Sequence, residues 1–359
     1  MAEPLVTRRG TLAVPTFLPD ATRAGVRGVS SEDLRGIGIE GVVVNAFHLL
    51  RRPGARVVQA AGGIHRFMDW SGPILSDSGG FQVWSLIRQD PNRGVIRDNE
   101  VIFREPSTGE KWNLTPERII SLQFQLGSDI VVCLDDCTDA GDPIDEQERA
   151  VERTVRWARR CRAEFDRQVA ERRMADPPRI FAVVQGGGVE ALRRQCAVAL
   201  AEIGFDGYGF GGWPLDTEGG LLAEPLRWVA ESLPAEVPKH ALGIGRPDHV
   251  VNAFGLGYSI FDCALPTRDA RHGRLYAFRS GGSGRPSVGD HFYRAVRIHD
   301  PEYRVDHGPI EEDCDCPVCT RHSAAYLHHL FKVGDLSAER LATLHNLRFY
   351  VRLFGLLRG

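Results

Sequence analysis

The chain has 359 residues, of which 43% are hydrophobic and 25% charged, a composition typical of a globular enzyme with a large core. No stretch approaches the roughly 18 uninterrupted apolar residues of a membrane helix, and the first ten residues lack the apolar region of a signal peptide, so we expect a cytoplasmic protein with no membrane partner. The net charge of −3 excludes nucleic-acid binding by charge spread over the whole surface, so any such partner needs a local basic patch.

Short apolar runs typical of buried strands recur along the chain. In order, they are LAVPTFL near Val14, GVVVN at 41–45, PILS at 73–76, DIVVCL at 129–134, IFAVV at 180–184, GYGFG at 207–211, HALGI at 240–244 and YSIFDC at 258–263. Amphipathic segments typical of helices separate them, for example at 116–127, 145–173 and 189–204. Continuous apolar runs indicate strands buried on both faces, as in a parallel sheet. Eight strands alternating with helices therefore predict an α/β fold, a (β/α)8 or TIM barrel.

Two insertions interrupt the repeat. After the third strand, VIFREPSTGEKWNL predicts a hairpin that turns at Ser107-Thr108-Gly109. After the eighth strand, SGGSGRPS opens a segment that carries a cysteine cluster. We therefore predict a catalytic barrel over residues 1–280 with a hairpin insertion near 84–114, a zinc-binding subdomain over 281–345, and a C-terminal helix over 337–359 that packs on the barrel.

Polar residues follow the predicted strands at matching places. In chain order they are Asp77, Asp135, Asp136, Gln185, the pair Gly211-Gly212, and Asp262. A single aspartate after a strand is commonly the N-cap of the next helix. Because the loops after barrel strands converge on one rim, several such residues predict a shared pocket. Glycine pairs at 79–80, 186–187 and 211–212 indicate a slot for a flat molecule.

Three cysteines lie within six residues in the motif CxCxxC, at Cys314, Cys316 and Cys319. Three thiolates and one imidazole close a tetrahedral shell, which is typical of a structural zinc site. His345, 26 residues after the last cysteine, is the predicted fourth ligand, and buried cysteines beside a core histidine are the alternative. Other histidines lie nearer in the sequence, at His322, His328 and His329.

Long segments along most of the chain carry a family resemblance. They are NAFHLLRRPG, GGIHRFMDWSGPILSDSGGFQVWSL, LTPERIISLQFQLGSDIVVCLDDCT, VVQGG, LRRQCAVALAEIGFDGYGFGG, FDCALPTRDARHG and CDCPVCTRHSAAYLHHL. On these residues the chain is similar to the tRNA-guanine transglycosylases. The resemblance implies a pentosyltransferase of the queuosine pathway, which exchanges guanine at the anticodon wobble position of tRNA for a 7-deazaguanine base.

The resemblance also implies roles for the residues at the strand ends. Asp262 is the expected nucleophile, which forms a covalent aspartyl-ribose intermediate, and Asp77 is the expected general acid and base. Asp135 is expected to accept hydrogen bonds from N–H groups of the base. Gln185 and the Gly212 amide are expected to donate to its carbonyl oxygen.

Further contacts follow from the same resemblance. Phe81 and Leu242 are expected to sandwich the base, although both also suit an ordinary core. Arg268 and Arg271 are expected to hold phosphates or a flipped-out nucleotide, with a solvated basic turn as the alternative. The cysteine cluster implies one structural zinc per chain. In AAYLHHLF, Tyr326 and His329 resemble dimer contacts and imply a homodimer, although a core helix has the same pattern.

The sequence departs from the family pattern after the sixth strand. Many bacterial relatives have a small, flexible loop there that ends in a glutamate, whereas this chain has Trp213-Pro214, followed by Asp216 and Glu218. Proline removes an amide donor and Trp213 adds bulk where the 7-substituent of the base is expected. The incoming base therefore remains open between the aminomethyl, cyano and queuine forms. The chain also lacks an extra C-terminal stretch that many bacterial relatives have. We expect this difference to weaken the binding of tRNA.

Three alternative functions remain open at this level. A DNA-directed 7-deazaguanine transglycosylase shares the chemistry of the tRNA enzymes. A non-catalytic tRNA-binding partner subunit lacks the nucleophile, whereas Asp262 and Asp77 are both present here. A metal-dependent barrel hydrolase needs an open metal site, whereas the cysteine cluster predicts a closed one.

Overall fold

The computed structural model describes residues 3–105, 108–279, 288–289 and 291–359. The strands, in chain order, are β1 (Leu5–Thr7), β2 (Gly10–Leu12), β3 (Thr16–Pro19), β4 (Val42–Asn45), β5 (Ile74–Asp77), β6 (Gly94–Ile96), β7 (Val101–Arg104), β8 (Lys111–Leu114), β9 (Ile130–Val132), β10 (Arg179–Val184), β11 (Gly207–Phe210), β12 (Lys239–Ala241), β13 (Ile260–Cys263), β14 (Arg274–Phe278) and β15 (Tyr293–Arg297).

The α-helices, in chain order, are α1 (Ser31–Gly36), α2 (Ala46–Arg51), α3 (Ala55–Ala60), α4 (Ile64–Met68), α5 (Gly80–Gln89), α6 (Pro116–Leu126), α7 (Ile144–Glu171), α8 (Glu190–Ile203), α9 (Ala223–Glu231), α10 (Pro247–Gly255), α11 (Leu265–Arg271), α12 (Ala324–Val333) and α13 (Leu336–Arg358). Short 3₁₀ helices span Pro91–Arg93 and Pro301–Val305. Within the described ranges, no helix combines the length and apolarity needed to cross a bilayer.

The eight predicted apolar runs form one parallel sheet, in the strand order β3-β13-β12-β11-β10-β9-β5-β4. Its two ends meet through a parallel bridge between Asp20 and Val43, where the Ala21 amide donates to the Val43 carbonyl oxygen at 2.7 Å. The sheet therefore closes into a barrel, and the predicted (β/α)8 fold class is confirmed.

Side chains that point into the barrel form an apolar cluster of their own. Its buried members include Leu18, Val43, Leu75, Ile130, Val132, Phe181, Val183 and Ile260. Because side chains alternate between the two faces of a strand, residues two positions further along point into the same interior. The residue after each member of this cluster therefore faces the helices, and the one after that faces the interior again, nearer the carboxyl end of its strand.

Both predicted insertions contain regular structure. Strands β6, β7 and β8 form an antiparallel sheet after helix α5, so the predicted hairpin is the β7–β8 pair with an additional strand that the sequence pattern did not indicate. The Gly109 amide donates to the Glu105 carbonyl oxygen at 2.8 Å beside the turn, whereas Ser107 lies outside the described residues.

The C-terminal part folds against the barrel through helix α13. This helix packs on α11, β14 and β3, and the Tyr350 ring lies 4.5 Å from the ring of Phe17 in the first barrel strand. Strand β14 pairs antiparallel with β15, and the predicted linker SGGSGRPS between them lies outside the described residues. The helix predicted near the C-terminus is thus present, and the exact domain boundaries stay a prediction.

Candidate active site

A cavity of about 510 Å³ opens at the carboxyl ends of the barrel strands. Carboxylates from four places in the chain line it, at Asp20, Asp77, Asp135 and Asp262. The first of these was not singled out from the sequence, and Asp136, which was noted there, is buried against Arg153 instead. The structure thus brings the three predicted carboxylates together and adds a fourth.

Strand periodicity explains why these carboxylates converge. Asp77 lies two residues beyond the interior side chain of Leu75, and Asp262 lies two residues beyond Ile260. Each aspartate is therefore the next inward-facing residue on its strand, at the barrel mouth. Asn45 lies two residues beyond Val43 for the same reason.

Asp77 is held by Asn45 from the neighbouring strand. The Asn45 side-chain amide donates to Asp77 Oδ2 at 2.7 Å and to Gln82 Oε1 at 2.9 Å, while its Oδ1 accepts from the His48 amide and caps helix α2. Burial, reinforced by the negative charge of Asp262 and opposed by the hydrogen bonds to Asp77, raises the pKa of Asp77 to about 6. A carboxyl with this pKa exchanges protons readily near neutral pH.

Asp262 has its two oxygens in different surroundings. Oδ1 lies 2.7 Å from Nε2 of His240 and accepts from the Gly243 amide at 3.2 Å. No hydrogen bond to Oδ2 occurs within the described part of the chain, and the side chain is 17% exposed toward the cavity. One oxygen is therefore anchored while the other is available to a ligand.

Asp135 and Gln185 form a pair at the side of the cavity. The Gln185 side-chain amide donates to Asp135 Oδ2 at 2.6 Å, but Gln185 itself is fully buried and lies behind Asp135 rather than on the cavity surface. Burial raises the pKa of Asp135 to about 7, opposed by this hydrogen bond and reinforced by the charge of Asp77. Asp135, the predicted acceptor, thus reaches the cavity, whereas Gln185, the predicted donor to the base, instead holds Asp135 in place.

Because the pKa of Asp135 is raised, replacing its carboxyl group should stabilise the protein by an amount that depends on pH. Between about pH 4 and pH 7 the folded protein holds a proton that the unfolded chain releases, so the free energy of unfolding falls as the pH rises through this window. We expect Asp135→Asn to raise that free energy by roughly 2 kcal/mol at about pH 7.5, and by less at about pH 4.5. Urea unfolding at the two pH values measures the difference.

The matched control is Asp145→Asn, which changes an aspartate side chain that is 63% exposed. We expect no comparable pH-dependent gain for this variant. An equal gain for Asp135→Asn at both pH values would contradict the raised pKa.

Strand β11 presents no side chain to the barrel interior. Its alternating residues are glycines, and a Cβ at Gly209 would lie 2.5 Å from Leu242 Cδ1 while one at Gly211 would lie 2.4 Å from Gln185 Nε2. These contacts are too close for any larger residue, so the glycines leave the space that Leu242 and Gln185 occupy. The glycines of the run GYGFG therefore let Leu242 and Gln185 pack directly against the backbone of this strand.

Arg193 connects the glycine-containing loops that follow strands β10 and β11. It is 2% exposed, and its guanidinium donates to the carbonyl oxygens of Gly187 at 2.8 Å, Val184 at 2.7 Å and Gly211 at 2.9 Å. The guanidinium carbon also lies 4.2 Å from the ring centroid of Phe210. Burial lowers the pKa of Arg193 to about 10. The backbone on either side of Gln185 and before Gly212 is thus fixed by one buried cation.

The predicted ring-contacting residues all lie on the cavity surface. Phe81, Leu242 and Trp213 line it together with Gly212. The Phe81 and Trp213 rings face each other with their centroids 6.3 Å apart and their planes 20° from parallel, and Trp213 is 54% exposed. The cavity therefore has flat apolar walls beside its carboxylates, which suits a planar heterocycle.

Basic residues from two distant segments meet near the cavity. Arg268 lines it and is exposed, whereas Arg271 lies outside it and donates to the Thr267 carbonyl oxygen at 2.9 Å. Burial and the nearby positive charge of Arg27 both lower the pKa of Arg271. Burial and the nearby charge of Arg23 likewise lower the pKa of His48, which lines the cavity. We call Arg23, Arg27, Arg268 and Arg271 the basic rim. Only the latter two followed from the sequence pattern.

The four predicted metal ligands form one cluster. Nδ1 of His345 lies 3.8 Å, 3.5 Å and 3.3 Å from the sulfurs of Cys314, Cys316 and Cys319 respectively, and all four ligand atoms lie within 4.8 Å of one another. A tetrahedral zinc with ordinary bond lengths separates its nitrogen and sulfur ligands by about 3.6 Å, so the spacing fits. The cluster can therefore hold a metal ion with a closed shell.

A backbone carbonyl orients the histidine of this cluster. His345 Nε2 lies 2.8 Å from the Tyr276 carbonyl oxygen, an arrangement that directs Nδ1 toward the sulfurs. Of the nearer histidines, His328 bonds the Ile298 carbonyl oxygen at 2.7 Å and His322 stacks on Tyr326. Position on helix α13 thus selects His345.

Sequence reasoning missed four residues that shape the site, namely Asp20, Asn45, Arg193 and His240. For the first two, the inward register of strands β3 and β4 was a usable signal, since each follows an interior residue by two positions. Nothing comparable marks the other two, because both are buried and act through contacts with other segments.

Comparison with known proteins places the chain in one family. The family described as queuine tRNA-ribosyltransferase matches residues 3–359. A protein of that name from Aliivibrio fischeri (strain MJ11) is 38% identical over 350 residues, which cover 98% of this chain and 87% of the relative. Another, from Shewanella halifaxensis (strain HAW-EB4), is 38% identical over 357 residues, covering 99% and 88%.

Fold, site and matches together define a (β/α)8 pentosyltransferase with a cluster that can hold a metal ion. The enzyme class predicted from the sequence is thereby confirmed. More closely, the chain belongs to the queuine tRNA-ribosyltransferase family, the family that its motifs resemble.

Proposed function

We propose that this protein is a tRNA-guanine transglycosylase, which replaces guanine at the anticodon wobble position with a 7-deazaguanine base. The observation that carries the proposal is the convergence of Asp77 and Asp262 on one cavity in a chain of this family. Their surroundings differ as two catalytic roles require, because burial raises the pKa of Asp77 whereas Asp262 offers an oxygen without a protein partner among the described residues.

The proposed chemistry proceeds in two displacements. Asp262 Oδ2 forms a bond to the ribose anomeric carbon while the glycosidic bond breaks. The electron pair of the broken glycosidic bond leaves with the guanine, which takes a proton from Asp77. The incoming base then attacks the same carbon, loses a proton to Asp77 and releases Asp262. Water must stay out during the exchange, since it would hydrolyse the intermediate.

Base recognition is assigned to the remaining cavity residues. Asp135 accepts from N–H groups of the base, and its pKa of about 7 lets a bound base favour the ionised form. Gln185 supports Asp135 through its side-chain amide, and the Gly212 amide is assigned as the donor to the carbonyl oxygen of the base. Phe81, Leu242 and Trp213 contact the faces of the ring.

The loop after strand β11 bears on the identity of the incoming base. Asp216 does not line the cavity, because its Oδ1 accepts from the amides of Glu218 at 2.9 Å and Gly220 at 2.7 Å and so closes its own turn. Its carboxylate is therefore committed to the loop. Trp213 and Pro214 take the place beside the 7-substituent, and a panel of the aminomethyl, cyano and queuine forms identifies the base.

The remaining assignments concern the macromolecular partner and the metal. The basic rim is proposed to contact tRNA phosphates, which gives the protein a local basic patch despite its net charge of −3. A zinc ion in the cluster of Cys314, Cys316, Cys319 and His345 stabilises the fold and takes no part in the chemistry. A cytoplasmic homodimer is proposed, with Tyr326 and His329, both exposed on helix α12, at the contact.

Incubation with labelled guanine and unmodified tRNA tests the proposed function. We expect label to enter tRNA at one position, because the exchange is reversible when guanine itself is the incoming base. DNA of matched sequence serves as the control substrate. Label in DNA alone would transfer the assignment to a DNA-directed enzyme, and label in neither would contradict it.

A further inference from the structure

The nucleophile proposed above has a buried histidine directly beneath it. His240, on strand β12, is 1% exposed and does not line the cavity, yet its Nε2 lies 2.7 Å from Asp262 Oδ1. Because His240 precedes Leu242 by two residues, both side chains lie on the face of the strand that points into the barrel. No motif in the sequence marks this residue as part of the site.

Two donors converge on the same carboxylate oxygen. His240 and the Gly243 amide both bind Asp262 Oδ1, at 2.7 Å and 3.2 Å, the first from strand β12 next to β13 and the second from the loop directly after β12. Because both bonds go to Oδ1, the carboxylate cannot rotate without losing them. Rotation would place Oδ1 where the sugar carbon is attacked.

We propose that His240 is a positioning residue, which holds Asp262 Oδ1 and so presents Oδ2 to the ribose anomeric carbon. The inference rests on the proposed function, since it assigns the geometry of that reaction's nucleophile. His240 itself touches neither substrate nor the reacting atoms.

Two substitutions test this role. His240→Leu removes the donor, whereas His240→Gln keeps an amide N–H at a similar reach. We expect the leucine variant to form the covalent tRNA adduct roughly 10- to 100-fold more slowly than the wild type, in line with the loss of a hydrogen bond to a charged group. The glutamine variant recovers most of that rate. Affinity for tRNA and for guanine stays unchanged in both.

The chain supplies a matched control in another buried histidine–aspartate pair. His65 Nε2 lies 2.9 Å from Asp129 Oδ2, with the two side chains 8% and 0% exposed. Asp129 also binds the Ile74 amide at 2.9 Å, so this pair lies at the amino ends of strands β5 and β9, away from the cavity. His65→Gln is expected to lower the unfolding temperature but to leave the rate of adduct formation unchanged.

Single-turnover trapping of the adduct on denaturing gels, with binding measured separately, provides the readout. A wild-type rate in folded His240→Leu would overturn the proposal, as would a defect that appears only in tRNA or guanine affinity. Equal slowing in His240→Gln and His240→Leu would also overturn it, because the donor would then not matter. If the wild type itself forms no adduct, the proposed function fails first, which is a distinguishable result.

Discussion

Asp262→Asn should abolish base exchange, with a fall of at least about 10⁴-fold in turnover. Asparagine keeps an oxygen for His240 and the Gly243 amide, so the side chain retains its position, but it has no carboxylate oxygen to bond the ribose carbon. The measurement is labelled-guanine incorporation into tRNA, together with a denaturing gel for the covalent adduct. Binding of tRNA is expected to persist, since the basic rim is intact.

Asp145→Asn provides the comparison for Asp262→Asn, as it makes the same chemical change at an exposed side chain on helix α7. It should match the wild type in both assays. If folded Asp262→Asn still formed an adduct, another group would be the nucleophile. Asp20 and Asp77 line the same cavity and would be the candidates to examine.

Loss of the metal cluster should have the largest effect on stability. Cys316 is fully buried, and Cys316→Ser removes one of four ligands that join the CxCxxC segment to helix α13. Because the ion would bind the folded chain far more tightly than the unfolded one, we expect a loss of at least about 4 kcal/mol in the free energy of unfolding. Thermal unfolding with and without a chelator measures it.

Cys161→Ser is the matched control, since Cys161 is an equally buried cysteine on helix α7 outside the cluster. Chelation should lower the unfolding temperature of the wild type and of Cys161→Ser, but not that of Cys316→Ser. A wild type indifferent to chelator and free of bound metal would contradict a structural metal site. Loss of exchange in chelated but fully folded protein would contradict a purely structural role.

The strand pattern of this protein was readable because burial on both faces imposes a local composition. Each of the eight apolar runs corresponds to one barrel strand, and the polar residue two positions beyond an interior side chain, as in Leu75 and Asp77, reaches the cavity. The cysteine motif could also be recognised, because cysteines only two or three residues apart in the sequence must lie close together in the structure. Strand β6 was missed because its three residues form a strand only by pairing with β7.

The residues that the sequence alone determined are those whose role depends on their own stretch of chain, namely the strands, the carboxylates at their ends and the cysteine cluster. Tertiary structure decided which groups meet across the barrel. His240 binds Asp262 across 22 residues, Gln185 binds Asp135 across 50, and His345 joins cysteines that precede it by 26 to 31. The physical reason is that strand periodicity orients a side chain toward the interior, whereas strand order, register and closure of the barrel select its partner there.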